Sequence, residues 1–551
     1  MSLATRLLAL IMGLPPATST DIAVDKGLRV AMRDGVELAA DRYYPRGAPR
    51  AMLVLIRTPY GRSRAVQGWG TIARAIAERG YQVVVQSTRG TFDSGGDFEP
   101  GAAEAADGLA TIEWLRQQPW FPGAFATYGQ SYVGYVQWAL ARSRIPEWKA
   151  AVIGVAPSDW ASGWTHPNGA FSIGNALYWI YAIAPVTRAG TSASESLRAL
   201  IRPRPLRTAE DHLPMGTSDR IALGKQVHYY QRWVSSDGHD GYTKEVDFRD
   251  CADNLPPTHL STGWYDFFVS TTLTDYVALR RAGRPVRLLV GPGGHSSGQN
   301  GAASREQFPW LAAHGRGSGV PLPDTPVRVY IMGANHWADL TDWPPPDSLP
   351  TPWYLRQGGY LTPDPDDSVA SSPSHYRYDP ADPTPNVGGA FPNLPWRCGP
   401  KDNRTLEARP DVLTFTTEVL EHDLKIIGWV EADLFVRSSL EHTDFFARLC
   451  DVAPNGRSTN ICDGLLRLHP GSPALAADGV RRLRISLMGT AYSFARGHRI
   501  RLQVSSGAHP RFTRNLGTGE PVATATITRA ADQEILHDRD HPSAIVLPLI
   551  D

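Results

Sequence analysis

The sequence predicts an α/β fold with a mostly parallel sheet, interrupted by a helical insertion and followed by an all-β domain of sandwich or jelly-roll type. Three observations predict it. In the first third of the chain, continuous apolar strand-type runs alternate with helix-type runs. From about Asp159 to Asp253 that rhythm gives way to helix formers and aromatics, as in Tyr178-Trp179-Ile180-Tyr181 and Tyr229-Tyr230-Gln231-Arg232-Trp233. Beyond Trp343-Pro344-Pro345-Pro346, short strand-type runs are punctuated by Gly, Pro, Asn and Asp. Parallel strands read as unbroken apolar runs because crossover helices cover both faces of the sheet. Short strands between turn residues mark an antiparallel β domain instead.

The elements follow in order. Leu28–Met32 and Val36–Ala40 flank Arg33-Asp34-Gly35, a turn signal that predicts an antiparallel hairpin. Ala51–Ile56 and Tyr81–Val85 are buried strands, with a helix over Thr71–Arg79 between them. Ala106–Gln118 has helical periodicity, Ala124–Tyr128 is a strand, and Ala150–Val155 is another. After the insertion, strands resume at Thr258–Thr262, Arg287–Val290 and Val327–Met332. The last domain is expected to hold strands at Ala432–Val436, Asp444–Cys450, Leu483–Leu487, Arg499–Val504 and Ala523–Thr528. Residues 1–158 and 254–345 thus form two pieces of one core, 159–253 a helical cap, and 346–551 a separate β domain. A chain of 551 residues is too long for a single core.

Charge excludes some partners. Lys+Arg and Asp+Glu both total 55, so no net field directs the chain to nucleic acid or an anionic membrane. The 16 Trp and 20 Tyr fit either large apolar pockets or a tryptophan-rich core. Four cysteines without a C-x-x-C pattern imply neither a disulfide scaffold nor a metal site, and no cofactor is expected. Cys450 and Cys462 flank Pro454-Asn455-Gly456-Arg457 and could face each other across two strands, as reduced thiols. The apolar run Leu7–Leu14 is short for a signal segment and for a membrane span, so it reads as a helix packed on the body. The protein is expected to be cytoplasmic. A homodimer is an assembly the sequence leaves open.

Chemistry enters at Gly129-Gln130-Ser131-Tyr132-Val133-Gly134, set between a strand-type and a helix-type run. These are the parts of a nucleophile elbow, which lifts a serine hydroxyl above the carboxyl end of a sheet. The backbone N–H of Tyr132, at the helix start, would then point at a developing oxyanion. The second glycine lies three residues after the serine, whereas the commonest form has it after two. A serine nucleophile needs a base, and the base an orienting acid. His259–Thr262 runs into Gly263-Trp264-Tyr265-Asp266, and Leu288–Val290 into Gly291-Pro292-Gly293-Gly294-His295. Asp266 and His295 therefore each follow a strand, in the chain order Ser, Asp, His. Asp159, in Pro157-Ser158-Asp159-Trp160, is a competing acid that could instead cap a helix. The loop Arg57-Thr58-Pro59-Tyr60-Gly61-Arg62 lacks a glycine run, so the phenol of Tyr60 is the candidate second oxyanion donor.

Together these segments, with Arg89-Gly90 and Ser94-Gly95, resemble the CocE/NonD hydrolases, the cocaine esterase-like branch of the X-Pro dipeptidyl-peptidase (S15) superfamily. The resemblance runs from about Val30 to the C-terminus, where Thr443-Asp444-Phe445 and Asp451-Val452-Ala453-Pro454-Asn455-Gly456 are similar to that family's last domain. It implies an α/β-hydrolase core, a helical cap and a galactose-binding-like jelly roll. It also implies a small ester or amide substrate, Ser131 as nucleophile, His295 as base, Asp266 as orienter, and Tyr60 and Tyr132 as oxyanion donors. Phe268 matches an aromatic of the family's acyl pocket, with Trp160 and Phe391 as further substrate-binding candidates. Two departures stand out. Ser87 replaces the usual Asp before the Arg-Gly pair, and Gly293 replaces an aromatic, which implies a looser histidine loop or a wider pocket. α-Amino acid ester hydrolases of the superfamily place acidic residues where this chain has Phe268 and Val269.

Overall fold

The computed structural model describes residues 3–62, 68–183, 204–238, 240–296, 300–365, 371–391, 397–470 and 473–550. Ten strands form the first sheet. They are β1 (Ile22–Ala31), β2 (Glu37–Pro45), β3 (Leu53–Thr58), β4 (Gln82–Ser87), β5 (Phe125–Gln130), β6 (Trp148–Gly154), β7 (Thr258–Tyr265), β8 (Val286–Gly294), β9 (Val327–Ile331) and β10 (His336–Leu340). Their spatial order is β1-β2-β4-β3-β5-β6-β7-β8-β9-β10. From β4 to β9 every neighbouring pair is parallel. The outer pairs β1–β2, β2–β4 and β9–β10 are antiparallel.

The apolar runs account for the centre of this sheet: every residue of β3 and β4 is buried, as strands covered on both faces must be. The β1–β2 hairpin pairs Val30 with Leu38, and β1 extends back to Ile22. The chain steps from β3 outward to β4 and then returns to β5 on the other side of β3. That reversal opens a crevice at the carboxyl ends of β3 and β5, where α/β sheets bind ligands. β10 was not expected from the sequence. It is short and mostly half-exposed, so its apolar pattern is weak.

The insertion is helical, with helices at Ile173–Ile183, Arg204–Asp211, Ser218–Leu223, His228–Ser235 and Gly241–Glu245. Its N-terminal boundary is pinned to its end by a bridge between Asp159 and Asp247. The second sheet has eleven strands, nearly all paired antiparallel, and forms the jelly-roll domain. Its longest strand, Leu424–Ser438, alternates buried and half-buried positions, the period-two signature of a one-sided core.

Three expectations are modified. Ala523–Thr528 is not a strand: Thr524 and Ala525 N–H both turn back to the Pro521 carbonyl, and the Ala523 carbonyl accepts the N–H of Gly216 from the cap. Its apolar residues served the wrong pattern, and Ile527 is exposed. Cys450 and Cys462 do not pair in register, because a bulge sets Leu449 opposite Cys462 and Cys450 opposite Asn460. Both thiols are buried and unbridged. The N-terminal helix (Leu3–Met12) docks through Thr5, whose hydroxyl reaches the buried Glu78 carboxylate at 3.2 Å, yet Leu3, Leu7, Leu10 and Ile11 stay exposed. Among the described residues no helix is long and apolar enough to cross a membrane.

Candidate active site

Ser131 joins β5 to the helix Tyr132–Leu140 in a backbone conformation (φ 57°, ψ −130°) that non-glycine residues rarely adopt. The surroundings hold that strain in place. The Ser131 N–H is bonded to the Gly154 carbonyl of β6 at 2.9 Å. A Cβ on Gly129 would lie 2.4 Å from the Val133 side chain and carbonyl, so only glycine lets the strand meet the helix this closely. The spacing of the second glycine has a physical cause. Gly134 is where the helix crosses β6, and a Cβ there would lie 2.6 Å from that of Ala156. Close packing is therefore required at the third residue after the serine, and Val133 is free to be large.

The ends of β7 and β8 bring the other two groups to Ser131. His295 Nε2 lies 2.9 Å from Ser131 Oγ, and His295 Nδ1 lies 2.9 Å from Asp266 Oδ1. Asp266 is fully buried. Its Oδ2 accepts the Thr262 hydroxyl at 2.8 Å and its Oδ1 also accepts the Phe268 N–H at 3.2 Å. An ionised carboxylate so held accepts from Nδ1–H, which leaves Nε2 as the acceptor for the serine proton. The ring of Phe267 stacks on the imidazole with centroids 4.4 Å apart and planes 22° apart, and Phe268 meets it edge-on at 5.5 Å. An aromatic cover on this ring thus comes from the residue after Asp266. Asp159 lies elsewhere. It accepts the Ala161 N–H at 2.9 Å and the Ser162 N–H at 3.3 Å, the capping role.

Tyr60 is buried, and its phenol faces both Ser131 and Trp179, whose indole N–H donates to it at 3.4 Å. Burial raises its pKa, so the phenol stays a neutral donor. Tyr132 begins the elbow helix, whose first N–H groups lack carbonyl partners one turn back. Its own phenol points away, donating to Glu104 at 2.8 Å and accepting the Gly101 N–H at 3.0 Å. The departure at Ser87 is absorbed locally, since its hydroxyl accepts from Arg62 at 3.1 Å.

The cap closes over these groups with aromatic rings. Trp160 is buried edge-on against Tyr132 at 5.4 Å and against Trp164 at 4.6 Å. Trp179 is half-buried and stacks on the Tyr132 ring at 6.3 Å and 19°. Phe391 is placed differently from expectation. It is buried at the seam between the jelly roll and the cap, beside Gly174, where a Cβ would lie 2.9 Å from its ring. It packs against the helix that carries Trp179, and no contact of its own with Ser131, Asp266 or His295 is found among the described residues. Trp179, Phe267 and Glu104 escaped the sequence reading. Phe267 carried a signal, its adjacency to Asp266; the other two carried none.

Two family models match the chain: X-Pro dipeptidyl-peptidase (S15 family) over residues 34–297, and the X-Pro dipeptidyl-peptidase C-terminal non-catalytic domain over residues 319–546. The cocaine esterase of Rhodococcus sp. (strain MB1 Bresler) is 33% identical over 570 residues, spanning 96% of this chain and 99% of its own. Among solved structures, an α-amino acid ester hydrolase aligns with a TM-score of 0.82 at 24% identity over 98% of both chains. A CocE/NonD family hydrolase from Staphylococcus aureus aligns with a TM-score of 0.71 at 16% identity, over 96% of this chain and 94% of its own. The two structural likenesses concern the fold.

Proposed function

The chain belongs to the X-Pro dipeptidyl-peptidase (S15) family of hydrolases, and we propose that it cleaves carboxylic esters through an acyl-enzyme intermediate on Ser131. The observation that carries this reading is the unbroken hydrogen-bond chain from Ser131 through His295 to Asp266. In the proposed cycle His295 Nε2 takes the serine proton as Oγ attacks the ester carbonyl. Tyr60 O–H and Tyr132 N–H receive the oxyanion. The imidazolium then protonates the departing alkoxide, and water attacks the acyl-enzyme with His295 again as base. Asp266 stays ionised and stabilises the imidazolium.

Substrate class follows from what faces the site. An aminoacyl or N-terminal peptide substrate brings an ammonium that needs a carboxylate partner. Residues 268 and 269, just past the acid, are a buried Phe and a buried Val. An uncharged acyl group suits them, and the esterase named among the relatives supports the same choice. The test is labelling by a fluorophosphonate probe, followed by rates on an aryl ester, an α-amino acid ester and an X-Pro anilide. Ser131→Ala should lose both labelling and ester turnover, with its thermal midpoint little changed. Faster turnover of the anilide or the amino acid ester would reassign the substrate, and labelling that survives the substitution would remove the nucleophile.

A further inference from the structure

We propose that Glu104 is a positioning residue for the oxyanion site, a single buried carboxylate that anchors both donors. The proposal rests on the reading of Tyr60 and Tyr132 given above. Glu104 opens the helix Glu104–Arg116 and is 4% exposed. Its two oxygens face two different elements. Oε1 accepts the phenol of Tyr132 at 2.8 Å, and Oε2 lies 2.9 Å from Arg57 Nη2. Arg57 is the fifth residue of β3, three positions before Tyr60. Tyr132 immediately follows Ser131.

Each end is fixed by further bonds. Arg57 Nη1 donates to the Glu104 carbonyl at 2.9 Å, and Arg57 Nε donates to Gln86 Oε1 at 2.9 Å. The Tyr132 oxygen is locked in a second direction by the Gly101 N–H. Burial raises the pKa of Glu104, and the Arg57 charge offsets that shift only in part. The helix start at Tyr132 is thereby tied to the end of β3, across the crevice in which the tetrahedral intermediate would sit. An oxyanion hole works only if its donors wait at the place where charge will develop, and small misplacements lower kcat steeply. No atom of Glu104 need touch substrate for this.

Two variants of the full chain test the idea, Tyr132→Phe and Glu104→Gln. The first keeps the ring and the backbone N–H, and removes the bond to the carboxylate together with the one accepted from the Gly101 N–H. Readouts are kcat and KM on an aryl ester, and affinity for an aryl trifluoromethyl ketone, which becomes a hemiketal oxyanion on the serine. Tyr132→Phe should lower kcat about tenfold, and weaken the ketone by a similar factor, with KM within about threefold, the signature of an interaction made in the transition state. Glu104→Gln should lose more, because the ion pair with Arg57 is lost too. Unchanged kcat and ketone affinity in Tyr132→Phe would overturn the proposal, as would a rise in KM alone. A wild-type enzyme that the fluorophosphonate does not label would instead remove the esterase reading beneath it.

Discussion

The carboxyl edge of the first sheet and the cap above it are built on different terms. At the edge, Ser131, Asp266 and His295 stand at strand ends, and the backbone is tied there: Ser131 N–H to Gly154 of β6, Asp266 N–H back to Gly263 of its own strand. In the cap, Trp160, Trp164, Trp179 and Trp233 meet one another through ring contacts of 4.6 to 6.3 Å. Backbone anchoring fixes atoms to the few tenths of an ångström that proton transfer needs. Ring packing fixes a shape that can change by substitution while remaining filled. Losses at the edge should therefore appear in kcat, and losses in the cap in KM and substrate choice.

The largest expected effect falls on the acid. Asp266→Asn should lower kcat by about four orders of magnitude, because an amide N–H facing Nδ1 favours the wrong tautomer. Asp159→Asn, at the cap's boundary, should leave kcat within about threefold, since its partners are the backbone and the Ser162 hydroxyl of its own turn and the Arg249 guanidinium. The reverse ranking, in steady-state kinetics of the two proteins, would show that the acid follows β6. Next comes Tyr60→Phe, expected to cost about 10²–10³ in kcat with little change in KM. A near-normal kcat would mean that Tyr60 only packs, with a backbone N–H of its loop as the second donor.

A third test separates stability from chemistry. The Asp275 carboxyl, buried in the helix after the acid loop, accepts the Ser158 hydroxyl at 2.5 Å, and burial pushes its pKa up to about 8. An unfolded Asp titrates near about 4. Between those values the folded protein holds a proton that the unfolded chain has released, so this group's contribution to stability falls as pH rises from about 4 to about 8. Asp275→Asn should be progressively more stable than wild type over that interval, by a few kcal/mol at most above pH 8. Thermal midpoints across the range check it, and a constant difference would mean the carboxyl does not titrate there. The smallest effect is expected where the two regions touch. Trp179→Phe keeps the stack on Tyr132 and removes the long N–H bond to Tyr60. It should cost only severalfold in kcat, and a loss as large as that of Tyr60→Phe would mean the cap orients the donor.

The site was legible in sequence wherever function depends on chain order. Ser131, Asp266 and His295 each follow an apolar run with a glycine within the three residues before them, and the order of the strands makes their ends converge. The choice between Asp159 and Asp266 shows where such reading thins. Both follow a strand, but β7 is the neighbour of β8 and β6 is not, so only Asp266 can reach His295. Phe391 and Ala523–Thr528 mark its failures. A glycine pair ahead of an aromatic did not place Phe391 against Gly174, and an apolar alternation could not reveal that the Ala523 carbonyl would be taken by Gly216 of the cap.

By itself, then, the sequence determined the α/β rhythm, the elbow, the order of Ser131, Asp266 and His295 along the chain and the all-β character of the last domain. Each of these is written in local periodicity and turn chemistry along contiguous residues. Only the tertiary structure decided that Phe267 covers the imidazole, that Trp179 meets Tyr60, and that one carboxylate holds Arg57 and Tyr132. Those contacts join groups 47, 28 and 119 positions apart, or depend on a rotamer beside a strand end. They are set by how helices settle on the sheet, where many side chains must be satisfied at once, and no stretch of neighbouring residues encodes that arrangement.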